Sequence, residues 1–137
     1  MVFEFEVEGG NFSKAGTASS EIKKILSQLD IDYSMIKRVV VAMYEAEVNV
    51  VAHATSGKIT AEIDTGKISI VVDDEGPGIE DIGKAMEAGF STASQKVREM
   101  GFGAGMGLPN IKKNVDKFKI SSQPGKGTRL EMEVTFG

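Results

Sequence analysis

The chain has no cysteine and a single histidine, His53. Without thiols there is no disulfide framework and no thiolate metal site, and one imidazole does not make a dedicated zinc centre. An excess of basic side chains is also missing: 16 Lys and Arg stand against 20 Asp and Glu, a formal net charge of -4. That balance supplies no positive field to hold a polyanion, so nucleic acid is not expected as a partner. No apolar run approaches a bilayer span, and the opening MVFEFEVEGG lacks a basic segment followed by an apolar one. No membrane association and a cytoplasmic location are therefore expected. What is present suffices for one core: 137 residues, 41% of them hydrophobic, read as a single domain over 1–137.

Phe3, Phe5 and Val7 alternate with Glu4, Glu6 and Glu8, the period of a strand with one buried and one solvated face. Asn11 to Leu29 reads as a helix on the spacing of Ile22, Ile25, Leu26 and Leu29, with Gly16 and Thr17 opposing it in the first half. Asp32 caps a second helix running to about Ala54, in which Ile36, Val40, Met43 and Val50 recur on one side. Lys58 to Ile63 and Lys67 to Val72 form a hairpin about Asp64, Thr65 and Gly66. Ile79 to Ala88 reads as a short helix, Phe90 to Met106 as a loop, and Leu108 to Phe118 as another helix. Strands Lys119 to Ser122 and Thr128 to Phe136 follow, joined at Gln123 to Gly127. The expected fold class is an α/β two-layer sandwich, a mixed and mainly antiparallel sheet with helices on one face.

Chemistry concentrates in three places. Glu45 and Asn49 lie four apart on the second helix and emerge on one side. A carboxylate there can take a proton from a hydroxyl, and an amide oxygen can join phosphates and water around Mg2+. Such pairs also decorate solvated helix faces. Glu47 points away from that side and breaks the amphipathic pattern, with no account available from the sequence. Asp73 to Gly78, DDEGPG, follows a buried-looking strand. Asp74 aimed at a purine would accept from adenine's amino group and repel guanine's carbonyl, although the segment also makes good turn chemistry. Gly101 to Gly107, GFGAGMG, leads into the helix at Leu108, where backbone amides without neighbouring β-carbons attract phosphate oxygens. This is not a dinucleotide fingerprint, because Met106 and Leu108 stand where glycine would be required. Gly78 to Ala85 is no P-loop either, since it lacks the magnesium-binding hydroxyl and carries Glu80 and Asp81.

Taken in order, YEAEVNVVAHA (Tyr44 to Ala54), DDEGPGI (Asp73 to Ile79), GFGAGMGLPNIKK (Gly101 to Lys113) and PGKGTRLEMEV (Pro124 to Val134) resemble the four nucleotide-binding boxes of the GHKL, or Bergerat-fold, ATPases. Within that superfamily the chain looks most like the anti-sigma factor serine/threonine kinases, and closest to their switch-kinase branch. The resemblance implies ATP and Mg2+ as cofactors, Glu45 as general base and Asn49 as the magnesium ligand. It also implies Asp74 as the adenine-binding residue, supported by Thr128. Gly76, Gly78, Gly103, Gly105, Gly107 and Leu108 complete the implied nucleotide contacts. The implied activity is transfer of the γ-phosphoryl group to a Ser or Thr of a STAS-domain antagonist. The alternative is an ATP-dependent partner-switching binder of a sigma factor or another regulator. A homodimer is left open, as are the roles of Lys96 and Arg98 in an unusually long lid.

Overall fold

The structure, a computed structural model, describes residues 1–76, 86 and 107–136. Five strands, β1 (Val2–Glu8), β2 (Ser56–Ile63), β3 (Lys67–Glu75), β4 (Lys117–Gln123) and β5 (Gly127–Thr135), form one sheet in the order β1-β2-β3-β5-β4. Every recorded neighbour pair is antiparallel. Helices α1 (Thr17–Gln28), α2 (Tyr33–His53) and α3 (Gly107–Asn114) pack on one face of it. The two-layer, mainly antiparallel sandwich expected from the pattern is the architecture found.

Strand alternation sorts the residues. One face receives rows such as Phe5, Ile59, Val72 and Leu130, or Ala61, Ile70, Met132 and Phe118, which stand side by side in register. They meet Ile36, Val39, Met43, Ala46 and Val50 of α2 in a continuous core. The other face carries charge. Lys58 pairs with Glu4 at 3.3 Å, Arg129 with Asp73 at 2.9 Å and Lys119 with Glu131 at 3.9 Å. Exposed pairs of this kind contribute little each, but they make the uncovered face a solvated one.

Strands β2, β3 and β4 run longer than in the sequence reading, β3 extending past Val72 to Glu75 so that Asp73 and Asp74 lie within it, and two helix boundaries also differ. The helix expected from Asn11 is broken: a 3-10 turn at Phe12–Lys14 precedes α1, which starts at Thr17. Gly16, with φ of 96°, is left-handed and cannot continue a right-handed helix. The helix expected to reach Phe118 ends at Asn114, and Phe118 lies in β4. There Arg38 Nε donates to the Asn114 carbonyl at 3.1 Å and Arg38 Nη2 holds Asp116 at 2.8 Å, so α2 closes the end of α3. The Asp32 cap is as expected, its side chain accepting the Ser34 amide at 3.0 Å. The helix expected over Ile79 to Ala88 and the loop over Phe90 to Met106 lie outside the described residues, apart from Met86, which packs against the core.

Glu47 acquires its explanation here. It is only 2% exposed. The Ala18 and Ser19 amides donate to its two carboxylate oxygens at 3.1 and 3.2 Å. A carboxylate from α2 therefore caps the first turn of α1, where unpaired amides and the helix dipole favour negative charge. Removing it leaves buried donors without an acceptor. Glu47→Ala is expected to lose about 3 kcal/mol of stability and Glu47→Gln less, read as a lowered urea midpoint at unchanged slope. An alanine variant as stable as the wild type would show that the cap holds nothing.

Candidate active site

Glu45 and Asn49 occupy one side of α2, both half-buried, and face the start of α3. A β-carbon built on Gly107 would lie 3.5 Å from Glu45 Oε2 and 3.9 Å from Asn49 Oδ1. The two side chains named from the sequence thus converge on the residue that opens α3. Burial raises the pKa of Glu45, opposed by a hydrogen bond from the Asn110 side chain. Asn110 was missed in the sequence reading. Its spacing of three from Gly107 on a helix, which puts both on one side, is the signal that could have found it. Leu108 is buried in the core, so its side chain is structural and only its backbone is available to a ligand.

Asp74 stands near the end of β3, opposite Gly57 of β2. The Thr128 amide donates to its Oδ1 at 3.0 Å, and the Thr128 hydroxyl shares a 2.9 Å hydrogen bond with Ser122. Gly127, at φ of 128°, passes so close to the Asp74 backbone that any β-carbon would overlap its carbonyl oxygen. Burial raises the pKa of Asp74; the Thr128 amide lowers it and neighbouring Asp73 raises it. Desolvation wins in both carboxylates, Glu45 and Asp74.

The last turn of α2 joins the two groups. A β-carbon at Gly76 would lie 3.0 Å from Ala54 Cα and 3.4 Å from the His53 carbonyl oxygen, and the Thr55 amide donates to the Glu75 carbonyl at 2.7 Å. The end of β3 is thereby fixed one helical turn beyond Asn49. Burial lowers the pKa of His53, which favours its neutral form. Gly78, Gly103 and Gly105, together with Lys96 and Arg98, lie outside the described residues.

The donor set fits an adenine nucleotide bound with magnesium better than a metal alone. Among the described residues no group of three His, Cys, Asp or Glu could hold a metal ion. One amide oxygen, from Asn49, suits a cation that arrives with phosphate oxygens and water. A desolvated carboxylate whose described partner is a backbone amide, Asp74, has acceptor capacity left for an exocyclic amino group.

The chain is similar to known proteins in sequence and in fold. The family described as the histidine kinase-like ATPase domain matches residues 12–134. Serine/threonine-protein kinase RsbT of Bacillus subtilis is 39% identical over 98 residues, 69% of this chain and 68% of that protein. An anti-sigma F factor of Caldanaerobacter subterraneus subsp. tengcongensis is 36% identical over 142 aligned positions, covering 100% of this chain and 94% of the relative. A crystal structure of RsbU and RsbW domains from Mycobacterium tuberculosis superposes with a TM-score of 0.64 at 16% identity, over 98% of this chain and 32% of that one, a likeness of fold.

The environment of Asp74 sets a trade between stability and binding. A raised folded-state pKa means that the fold prefers the protonated acid. Asp74 therefore stabilises below its unfolded pKa, and that contribution is lost as pH rises through the folded value. Asp74→Asn keeps an acceptor for the Thr128 amide and removes the charge. It is expected to leave the unliganded protein at neutral pH as stable as the wild type or more so. ATP affinity should fall at least about tenfold, with reduced discrimination against GTP. Calorimetric titration with both nucleotides, beside thermal melts, checks both halves; unchanged ATP affinity would remove Asp74 from the site.

Proposed function

Because this chain belongs to the histidine kinase-like ATPase domain family, we propose that it is a protein serine/threonine kinase of the anti-sigma regulatory type. In this reading it binds Mg-ATP between α2 and the segment leading into α3. It passes the γ-phosphoryl group to a Ser or Thr of a STAS-domain antagonist protein in the cytoplasm. The carrying observation is the meeting of a desolvated Glu45 carboxylate, the Asn49 amide and the opening residue of α3 at one point.

When bound, ATP would supply the phosphoryl group and Mg2+ would offset charge developing on its oxygens. Glu45 accepts the proton of the incoming hydroxyl as the new oxygen–phosphorus bond forms and the bond to the β-phosphate oxygen breaks, leaving ADP. A base works best when its pKa lies near the working pH, and burial moves Glu45 in that direction. Asn49 offers its Oδ1 to the cation. Asp74 and Thr128 hold the adenine end, which Gly76 and Gly127 shape by letting the chain pass close to the backbones of Ala54 and Asp74. Gly78, Gly103, Gly105, Gly107 and the Leu108 amide are assigned to the adenine and phosphate contacts by resemblance to the family's boxes.

A second reading has a specific observation in its favour: several relatives are named anti-sigma F factors, among them that of Thermoanaerobacter pseudethanolicus, 36% identical over 125 residues. Here nucleotide occupancy governs capture of a partner, and transfer is secondary. Capture that survives Glu45→Ala but is lost in Asp74→Asn supports this reading, because nucleotide binding would then matter without proton abstraction.

Incubation with labelled ATP, magnesium and candidate STAS-domain proteins tests the kinase directly. Glu45→Ala is expected to slow labelling by roughly 100-fold to 10,000-fold. Absence of hydroxyl labelling, or a Glu45→Ala variant matching the wild type, sinks the assignment. The pH dependence follows from the sign of the shift. Glu45 acts as a base only when ionised and its pKa is raised, so the rate should fall on acidification within a range above that of an ordinary carboxylate. An acid limb at the ordinary position or below would place the essential base elsewhere.

A further inference from the structure

We propose that the free edge of β1 is a docking site for an extended segment of a partner protein, one in which basic residues alternate with apolar ones and which adds to the sheet as a further strand. The inference stands apart from the nucleotide reading, since none of the residues it uses belongs to that site.

In the order β1-β2-β3-β5-β4, β1 is an edge, and its ladder with β2 fixes what that edge offers. The Met1 nitrogen donates to the Ile63 carbonyl at 3.1 Å, and the Ile63 amide donates back to the Met1 carbonyl at 2.8 Å. At the other end the Gly9 amide donates to the Thr55 carbonyl at 2.9 Å. Along an antiparallel strand, residues alternate between exchanging both bonds with the residue opposite and turning both groups away. Met1, Phe3, Phe5, Val7 and Gly9 therefore bond to β2, while Val2, Glu4, Glu6 and Glu8 turn amide and carbonyl outward. The Glu8 carbonyl is taken by the Asn11 amide at 3.3 Å. Among the described residues, nothing pairs with the outward backbone groups of Val2, Glu4 and Glu6.

The side chains beside that edge select its occupant. Glu4, Glu6 and Glu8 are exposed on the open sheet face. Lys58 reaches Glu4 at 3.3 Å, and among the described residues Glu6 has no ion-pair partner. Two copies of β1 paired antiparallel in full overlap would set Glu4 against Glu6 twice. Like charges directly opposite are destabilising, so the edge is guarded against its own kind. The far edge of the sheet is basic, but Lys117 and Lys119 of β4 already lie 3.9 Å from Glu133 and Glu131. A foreign strand with Lys or Arg opposite Glu4 and Glu6 meets attraction instead. On the helical face, Phe5 and Val7 line a cavity of about 570 Å3 that continues to Thr17 and Ala18 of α1 and Val51 of α2. Glu47, also in its wall, is already held by the Ala18 and Ser19 amides. Alternate side chains of an added strand enter this cavity with the same period of two that brings the basic ones to Glu4 and Glu6. Backbone pairing supplies the attachment, and the two faces supply the choice of sequence.

The test uses the full chain and synthetic peptides as long as β1: alternating lysine and valine, alternating glutamate and valine, and the lysine peptide N-methylated at its lysine amides, which removes the donors beside Glu4 and Glu6. Binding is read by fluorescence anisotropy at roughly 0.15 M salt, where diffuse attraction to an acidic protein is damped, and located by amide hydrogen exchange. The plain lysine peptide should bind at least about tenfold tighter than either of the others and slow exchange at the Val2, Glu4 and Glu6 amides. Glu6→Pro removes an outward amide that β2 does not use. It should weaken the lysine peptide about tenfold, whereas Glu6→Lys should shift preference toward the glutamate peptide. Should Glu6→Pro fail to fold, the N-methylated peptide makes the same test from the partner's side. Equal binding of the N-methylated peptide, unchanged exchange at those three amides, or no binding of any peptide overturns the proposal. Protection that grows with protein concentration in the absence of peptide would give the edge to a second copy and overturn it as well.

Discussion

The seat of α2 on the ends of three strands governs where Glu45 and Asn49 stand relative to Asp74 at the end of β3. Three glycines make it. A β-carbon at Gly9 would overlap the Ala54 carbonyl oxygen, one at Gly57 would lie 2.8 Å from Val50 Cγ1, and one at Gly76 would lie 3.0 Å from Ala54 Cα. Side chains at these positions would push the last two turns of α2 off the sheet, and a close-packed interior has no slack to absorb the shift. With the helix down, Asn49 and Glu45 stand one and two turns back from the end of β3, on the side that α3 covers. The apolar side, Val39, Met43, Ala46 and Val50, supplies the burial that keeps it there. The distance between the adenine end and the catalytic end of the proposed site is thus a property of one helix and three close approaches.

Much of this was legible in the sequence, and what was not has identifiable causes. Strand β1, the β2–β3 hairpin and the Asp32 cap were readable because each rests on local chemistry: alternation, a turn, a carboxylate two residues from an amide. Glu45, Asn49, Asp74 and Thr128 could be named because they fall in spaced boxes, and the fold brings Glu45 to Asn49 and Asp74 to Thr128. Glu47 defeated the reading because its partners, the Ala18 and Ser19 amides, lie 29 and 28 residues away and carry no side-chain signature. The break before α1 was marked by Gly16, but the apolar spacing beyond it masked the weight of one left-handed residue. The end of α3 was overrun for a related reason. The stop comes from Arg38 and Asp116, 78 positions apart, which no local pattern reveals.

Partner choice divides the acidic residues into two populations. On the open sheet face Asp73, Glu131 and Glu133 each meet a cationic side chain, as does exposed Asp116 beside α2. Asp116 sits below the ordinary carboxylate range chiefly through its bond with Arg38. On the covered side, Glu45 and Asp74 are desolvated and offset by neutral donors, the Asn110 amide and the Thr128 backbone. A cation beside either would have satisfied the carboxylate within the protein. Neutral donors hold its position and leave the charge, so both groups are costly to the unliganded fold and have interaction to give to a ligand. Natural sites commonly accept that exchange of stability for function.

Asp73 and Asp74 make the case in two adjacent residues. Their side chains are identical, and successive residues of a strand point to opposite faces. Asp73 emerges on the open face in register with Arg129, which binds both of its oxygens at 3.1 and 2.9 Å. Asp74 emerges on the helical face, where β5 begins and the first available donor is the Thr128 amide. A slip of one residue in the pairing of β3 with β5 would exchange them, turning Asp73 to the helical face and Asp74 to the open one. Register therefore determines which aspartate faces the proposed site. That register is held by the inward rows Ile68 with Val134, Ile70 with Met132 and Val72 with Leu130, whose apolar side chains have no place on the solvated side.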